Sequence, residues 1–463
     1  MKILLIRPWD REDINTRLPE SINKAKGIIP PLGLAYIASF LRQNKINVSI
    51  LDAEALNLTF KDLKNIFEKD KPDLIGITCM TSTFQNSLNV AKLAKKFNAK
   101  VVLGGPHISA FPKESVSFNF IDFAICGDGE ESFFRLIKEL EKKNKRFNFK
   151  RIPGLIYKEK GNIIQNGFAV VHDLDKLPFP ALDILPMHKY FSVMNDSPFI
   201  TIMSSRGCPY QCGFCFKQPV DRFIRMRSPK NVVDEIEHWI SLFKIKEVMF
   251  YDDTLTLKRD HIEGICDEII KRDIKIKWEG PTRVDCIDEK LLIKMKKAGC
   301  NKLRYGVESG DPGILKLMRK GTDLELIKKV FRLSRKVGIK TFAYFIIGYY
   351  SETPETMKNT INFAISLDPD WAMYTIATPY PKTHLFELAS KAGIIEDDYW
   401  LKVAKGESAG RMPYLVKDAE KWAKKAYFQF YFRPIIIFRR IKDLNSLNTF
   451  KKYFSGALSI LKI

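Results

Sequence analysis

Short apolar runs alternate with amphipathic stretches along the first 140 residues. Lys2–Arg7, Val48–Asp52, Leu74–Cys79, Val101–Gly104 and Phe123–Gly127 read as buried strands. Between them, apolar residues recur at helical spacing over Leu32–Gln43, Phe60–Lys69, Phe84–Phe97 and Glu130–Lys143. Strand then helix, repeated, predicts a parallel sheet covered on both faces. Residues 1–145 are therefore expected to form a doubly wound, Rossmann-like α/β domain.

The pattern changes over residues 146–198. Leu155–Tyr157 and Ile163–Gln165 flank a Lys160-Gly161-Asn162 turn, which predicts a hairpin. The prolines at 178, 180 and 186 then mark a linker. A second alternating series fills residues 199–385. Its strands are expected at Phe199–Ser205, Glu247–Asp252, Ile276–Val284, Lys302–Val307, Lys340–Ile347 and Ala372–Ala377, and its helices include Pro229–Phe243, Glu289–Ala298 and Leu324–Val337. Six such units suggest a partial (β/α)6 barrel, a fold whose chemistry sits at the carboxyl ends of the strands. Beyond it, residues 386–463 read as a helical, aromatic and basic region. Over Ala419–Ile441 aromatic and aliphatic residues alternate with Lys and Arg, and Arg433-Pro434 should break the helix.

Composition narrows the class. Hydrophobic residues are 45% and charged residues 28% of the chain, which excludes a disordered or fibrous protein. Eight cysteines in 463 residues are too few for a disulfide scaffold. Met1–Pro8 holds only a four-residue apolar run closed by Arg7, so no signal peptide is expected. No stretch approaches the roughly 18 apolar residues of a membrane span, and a reducing cytoplasm is the expected compartment. The net charge is +22. An anionic partner is one reading of that excess, but most lysines are scattered, as on a solvated surface. The exception is Arg411–Ile463, with twelve Lys or Arg against three Asp or Glu. That region suits either a helical cap on the barrel or an interfacial helix on anionic lipid. The lipid alternative would put the protein at the membrane periphery and make a lipid or isoprenoid its substrate.

The sharpest chemical signal follows the first barrel strand. Cys208, Cys212 and Cys215 place three thiols within eight residues. Soft thiolates select iron–sulfur clusters, zinc or Cu(I). Zinc would need a fourth ligand, and Cys79, Cys126, Cys266, Cys286 and Cys300 offer no second close pair. Three thiolates on a 4Fe–4S cluster would leave one iron open for substrate. A structural zinc, or three ordinary buried thiols, is the bland alternative. No Ser/His/Asp order and no H-E-x-x-H motif is present.

Cys208, Cys212 and Cys215 match the C-x3-C-x-aromatic-C motif, and with the six-fold βα series the chain resembles the radical S-adenosylmethionine (SAM) superfamily. The resemblance implies that the open iron chelates SAM and that one electron from the cluster yields a 5′-deoxyadenosyl radical, which removes a hydrogen atom from an unactivated carbon. It also implies roles at other strand ends. Phe214 would pack near the adenine, Asp252 or Asp253 would meet the SAM amino group, and Arg283 would pair its carboxylate. Glu308, in Gly306-Val307-Glu308-Ser309-Gly310, would bind the ribose. Gly348 with Glu352 resembles the glycine-to-glutamate motif of the fifth strand. Each of these also has an ordinary reading, as a core Phe or a surface carboxylate.

The first domain lacks G-x-G-x-x-G after its first strand, so NAD is not expected. Its glycines follow later strands, in Leu103-Gly104-Gly105-Pro106-His107 and Cys126-Gly127-Asp128-Gly129-Glu130, where they would admit a bulky ligand. These segments ahead of a radical SAM core resemble the cobalamin-binding radical SAM family. The resemblance spans nearly the whole chain, including Pro379-Tyr380-Pro381-Lys382-Thr383, where the family usually has Gly at the position of Lys382, and Phe432-Arg433-Pro434. It implies cobalamin contacts at Thr78, Ser82, Gly104, Gly105, Gly127 and Gly129. The D-x-H-x-x-G motif is missing, as is usual in this family, and His107 is either near the cofactor or a turn residue. A degenerate domain without cofactor is the alternative.

The implied reaction is methylation of an unactivated carbon of a small molecule, with SAM used twice and electrons from a low-potential donor such as ferredoxin or flavodoxin. Ring closure or rearrangement with the same cofactors is the runner-up. An RNA-modifying methylthiotransferase is less favoured, because only Cys79 and Cys126 lie in the first domain. Nucleic acid is therefore not the expected partner.

Overall fold

The structure, a computed structural model, describes residues 1–10, 27–143, 146–192, 194–442 and 458. Strands β1 (Ile3–Arg7), β2 (Val48–Asp52), β3 (Leu74–Thr78), β4 (Lys100–Gly104), β5 (Phe123–Ile125), β6 (Leu155–Glu159) and β7 (Asn162–Gln165) form one sheet in the order 2-1-3-4-5-6-7. The first five pair in parallel, while β6 and β7 add an antiparallel hairpin at the β5 edge. Helices α1 (Leu32–Gln43), α2 (Phe60–Asp70), α3 (Phe84–Lys95) and α4 (Glu130–Leu140) cover it. Strand pleating explains the continuous apolar runs. Ile3 and Leu5 point into one core, and Leu4 and Ile6 into the other.

The second sheet is built from β8 (Phe199–Ile202), β11 (Glu247–Phe250), β12 (Lys277–Thr282), β13 (Cys300–Glu308), β14 (Lys340–Ile347) and β15 (Trp371–Ile376), with the short strands β9 (Ser205–Arg206) and β10 (Arg225–Met226) forming a separate ribbon. Its order, 15-14-13-12-11-8, is parallel throughout and open between β8 and β15. Along β13, Leu303, Tyr305 and Val307 pack in the shared core with residues of α5 (Pro229–Phe243), α6 (Arg259–Lys271), α7 (Glu289–Lys297), α8 (Leu324–Val337) and α9 (Pro354–Leu367). Lys302, Arg304, Gly306 and Glu308 take the opposite face.

Two connections differ from a simple reading of the sequence. The proline-rich segment is packed rather than slack: Leu174, Leu177, Ala181, Leu182 and Leu185 join a single core with residues of both sheets, and Ala181 N donates to Ala35 O at 3.0 Å. After α10 (His384–Lys391), the tail breaks at Arg433-Pro434 into α11 (Ala419–Tyr431) and α12 (Pro434–Lys442). Helix α11 covers the exposed edge of β15. Ala372 N and Tyr374 N donate to the Tyr431 and Tyr427 hydroxyls, each at 3.1 Å, which satisfies ladder groups that an open edge leaves unpaired. The cap reading thus describes α11. Helix α12 carries exposed Ile435, Ile437, Phe438 and Ile441. Of the rest of the basic tail, residues 443–457 and 459–463 lie outside the described residues.

Candidate active site at the facing strand ends

The loop after β8 is held from several sides. The Asp252 carboxylate, just past β11, accepts hydrogen bonds from Ser204 N at 3.1 Å, Ser204 Oγ at 2.7 Å and Ser205 Oγ. Gly207 has φ +99°, and a Cβ there would collide with Phe223 O, so only glycine fits this turn. Cys208 N donates to Asp221 O at 2.8 Å. Further on, Gly213 N donates to Met318 O and Gly213 O accepts from Leu385 N, both at 2.8 Å. The three cysteines are therefore presented by a clamped backbone. Cys208 is buried, Cys212 half-buried and Cys215 exposed as a residue. Protein crowded around its Sγ, then the neighbouring Cys212, push the Cys215 thiol up to about 12. Such a thiol gives up its proton to a metal more readily than to water.

Among the described residues no three His, Cys, Asp or Glu side chains converge on a point that one metal ion could occupy. That is compatible with a cluster, in which each thiolate binds a different iron. The donor set, three thiols on one clamped loop, fits a 4Fe–4S cluster with one iron left for another ligand.

The neighbouring strand ends bring in a polar ring. Arg283, after β12, donates to Lys320 O at 2.6 Å and to Asp285 at 2.8 and 2.9 Å, lies 3.8 Å from Cys212 Sγ, and stacks 3.7 Å over the Tyr210 ring. Glu308 ends β13 in the left-handed region at φ +70°, where the register with β14 shifts. It pairs with Lys320 at 2.8 Å. A Cβ on Gly306 would strike the Glu308 carboxylate and the Lys320 ammonium, so Gly306 makes room for the pair. Lys320 Nζ also lies 5.9 Å from the Phe214 ring centre. Burial opposes the charge on Lys217, but the nearby Asp253 helps raise it above its ordinary value.

This arrangement revises several expectations. Asp252 is hydrogen-bonded to Ser204 and Ser205, while the exposed Asp253 lies near Lys217. Gly348, at φ +75°, does not open toward a ligand: a Cβ there would meet the Ala419 Cβ of α11 at 2.5 Å. Glu352 is buried and accepts from Tyr349 N at 2.9 Å, and its Oε1 has no partner. Burial raises its carboxyl to about 7. Lys217, Lys320 and Tyr349 were not found from the sequence. Nothing in the pattern distinguishes two more lysines in so basic a chain.

The loops of the first sheet meet this ring. Arg206, two residues before Cys208, pairs with Asp128 at 2.9 Å and Glu130 at 2.7 Å, and its guanidinium lies 5.3 Å from the Tyr36 ring centre. Arg225 pairs with Asp128 as well. All four charged side chains are largely buried, so loss of one partner is expected to cost about 3–5 kcal/mol. Ser109 Oγ donates to Gln218 Oε1 at 2.5 Å, and Lys382 Nζ lies 5.8 Å from the Phe111 ring centre.

Of the residues expected at the corrin, Gly104 is the one whose added Cβ would meet nothing within 4 Å, so the backbone at the end of β4 is open to a bulky ligand. Gly105 and Gly127, at φ +105° and +89°, are instead required by close approach to Cys79 and Ala169, and Gly129 packs against Ile37. Thr78 is half-buried at the end of β3, and Ser82 Oγ donates to Asp10 at 3.4 Å. His107 is fully buried and stacked 3.9 Å from Phe84, with Nδ1 3.3 Å from Thr81 Oγ1 and Nε2 unpartnered. Burial lowers its pKa to about 3, so the ring is neutral. The open backbone at Gly104 and the orphaned imidazole nitrogen fit a bulky cofactor at this edge.

Comparison with known proteins agrees with this architecture. Residues 21–137 match the B12 binding domain family model, and residues 202–364 match the Radical SAM superfamily model. The chain is 35% identical over 469 residues to the uncharacterized methyltransferase PH0819 of Pyrococcus horikoshii, covering 99% of this chain and 98% of that protein. It is 30% identical over 376 residues to the anaerobic magnesium-protoporphyrin IX monomethyl ester cyclase of Rubrivivax gelatinosus, covering 79% and 68%. Its fold is that of the radical SAM methyltransferase TsrM of Kitasatospora setae, solved with cobalamin and a [4Fe-4S] cluster, at a TM-score of 0.69 and 20% identity over 85% of this chain and 78% of that one. With both domain types in this order and full-length similarity at this level, the chain belongs to the cobalamin-binding radical SAM family and is an enzyme whose cofactors are a 4Fe–4S cluster, SAM and cobalamin.

Proposed function

We propose that this enzyme methylates an unactivated carbon of a small-molecule substrate held between its two sheets. The observation that carries the reading is the buried set Arg206, Arg225, Asp128 and Glu130. It joins the cysteine loop directly to the Gly127–Glu130 loop, which sets the edge proposed to hold the cluster against the edge proposed to hold cobalamin. When bound, the cofactors supply hydrogen-atom abstraction and a methyl group. The chain supplies position and exclusion of water. Cys208, Cys212 and Cys215 hold the cluster. In this reading Asp253, Glu308 with Lys320, and Arg283 would meet the ammonium, hydroxyl and carboxylate groups of SAM, and Phe214 its adenine. Thr78, Ser82 and the backbone at Gly104 are placed for cobalamin, with the neutral His107 behind them.

The full-length similarity to a protein named as a methyltransferase supports methyl transfer. Similarity to a cyclase supports a second reading, ring closure without net methyl transfer. Anaerobic turnover with methyl-labelled SAM separates them. Label in the product establishes methylation, whereas 5′-deoxyadenosine without transferred label establishes cyclisation or rearrangement.

The electron source in this proposal is a low-potential ferredoxin or flavodoxin. No helix among the described residues is long and apolar enough to cross a membrane. The exposed apolar residues of α12, beside Arg439, Arg440 and Lys442, support peripheral contact with anionic lipid. Failure of the intact protein to co-float with anionic liposomes at low salt would remove that contact, and with it the case for a lipid or isoprenoid substrate.

A further inference from the structure

Tyr349 follows β14 and packs in a small apolar cluster with Ile314, Met318, Ile346 and Leu385. It is fully buried, and its hydroxyl has no hydrogen-bond partner. A buried hydroxyl is ordinarily paired, so an orphan here calls for an explanation. Its direction offers one. A Cβ built on Gly213 would stand 3.1 Å from the Tyr349 oxygen, and Gly213 lies between Cys212 and Cys215. The same glycine is clamped by Met318 O and Leu385 N, whose residues pack on the tyrosine ring. Tyr349 is therefore a proton donor without an acceptor, pointed at the loop that carries the cysteines.

We propose that the Tyr349 hydroxyl donates a hydrogen bond to a sulfur of the 4Fe–4S cluster and thereby raises the cluster's reduction potential. A donor to sulfur stabilises the more negative, reduced state. Gly213 serves the same contact, because any side chain there would crowd the hydroxyl off its line. The proposal rests on Cys208, Cys212 and Cys215 being the cluster ligands.

The experiment is anaerobic potentiometry of the reconstituted full-length protein, read by electron paramagnetic resonance of the reduced cluster. The unsubstituted protein comes first. If it assembles no cluster, the ligand assignment fails, and that failure is separate from this one. Given a cluster, Tyr349→Phe keeps the ring and removes the donor. Its potential is expected to fall by about 59 mV, a tenfold shift in a one-electron equilibrium, with a changed spectrum. An unchanged potential and spectrum overturn the proposal. Gly213→Ala is the independent arm, since it keeps the tyrosine and all three cysteines. It should lower the potential in the native background and add nothing in the Tyr349→Phe background. If Tyr349→Phe assembles no cluster, the single Gly213→Ala protein decides: a lowered potential supports the contact, and an unchanged one removes it.

Discussion

Lys302 and Glu308 stand on the same face of β13, roughly 20 Å apart along the strand, and both are buried in ion pairs. At the foot of the barrel, Lys302 lies 3.2 Å from Glu279 and 3.8 Å from Glu247 and donates to Met194 O at 2.7 Å. Asn195 and Asn301 donate to the same two glutamates. These groups come from the strands' amino-end halves and from the segment entering the barrel, and their charges offset one another. At the top, Glu308 has one partner, Lys320. It sits on a left-handed backbone at a register shift, over a glycine that leaves space, within a ring that continues through Arg283 to Cys212. Buried charge alone therefore does not mark a site. What sets the upper pair apart is backbone strain held in place by its surroundings, together with direct continuity to the cysteines. The foot cluster links strands of the barrel, and the top cluster adjoins the cysteine loop.

The largest expected effect breaks the upper region outright. Serine at 208, 212 and 215 should leave purified protein without bound iron and unable to cleave SAM, measured by iron content and 5′-deoxyadenosine formation. Iron and cleavage at native levels would remove the basis of the functional reading. The next pair of substitutions tests the comparison itself. Lys302→Met removes the lysine shared by two buried carboxylates and should destabilise the apoprotein by about 3–5 kcal/mol, while leaving the affinity of surviving folded protein for SAM unchanged. Lys320→Met should weaken SAM binding about tenfold, or 1.4 kcal/mol, with a smaller loss of stability because Lys320 pairs with one carboxylate and Lys302 with two. Denaturant unfolding and calorimetric titration with SAM read both. Equal losses of stability with equal affinities would erase the distinction.

A smaller effect concerns Glu352, whose carboxyl rises from an ordinary 4.5 to about 7 on burial. The fold thus favours its protonated form. Its contribution is fully present below about pH 4.5 and is lost as pH rises through 7. Glu352→Gln should flatten that part of the apoprotein's pH–stability profile by something on the order of 3 kcal/mol. Superimposable slopes for the two proteins between pH 5 and 7 would contradict this. The smallest effect is at Lys382, which holds φ +58° where the family usually has glycine. Lys382→Gly should stabilise the protein by about 1 kcal/mol, seen as a higher urea midpoint.

Much of this molecule was legible before its fold. Helices Leu32–Gln43, Pro229–Phe243 and Leu324–Val337, and strands Val48–Asp52 and Lys340–Ile347, lie where periodicity puts them. Each is long or strongly patterned enough to bury a complete face. Errors fall at ends. The Phe123 strand stops at Ile125, because Cys126 and Gly127 turn to bond Gly154 and Ala169. The strand expected from Lys302 begins at Cys300, because its pairing with β12 reaches back to Trp278. No local pattern encodes a partner strand.

The sequence by itself determined the alternation of strands and helices, the three-cysteine loop and the class of chemistry, because those depend on spacing within a few residues. Tertiary structure alone decided that Asp252 bonds Ser204 and Ser205, and which glycines are closely approached by other parts of the chain. It also decided that Arg206 and Arg225 join the two domains, and that Lys320 and Tyr349 stand by the cysteine loop. Those outcomes depend on which strand ends the fold brings together, and contacts between residues far apart in the sequence leave no periodic trace in the chain.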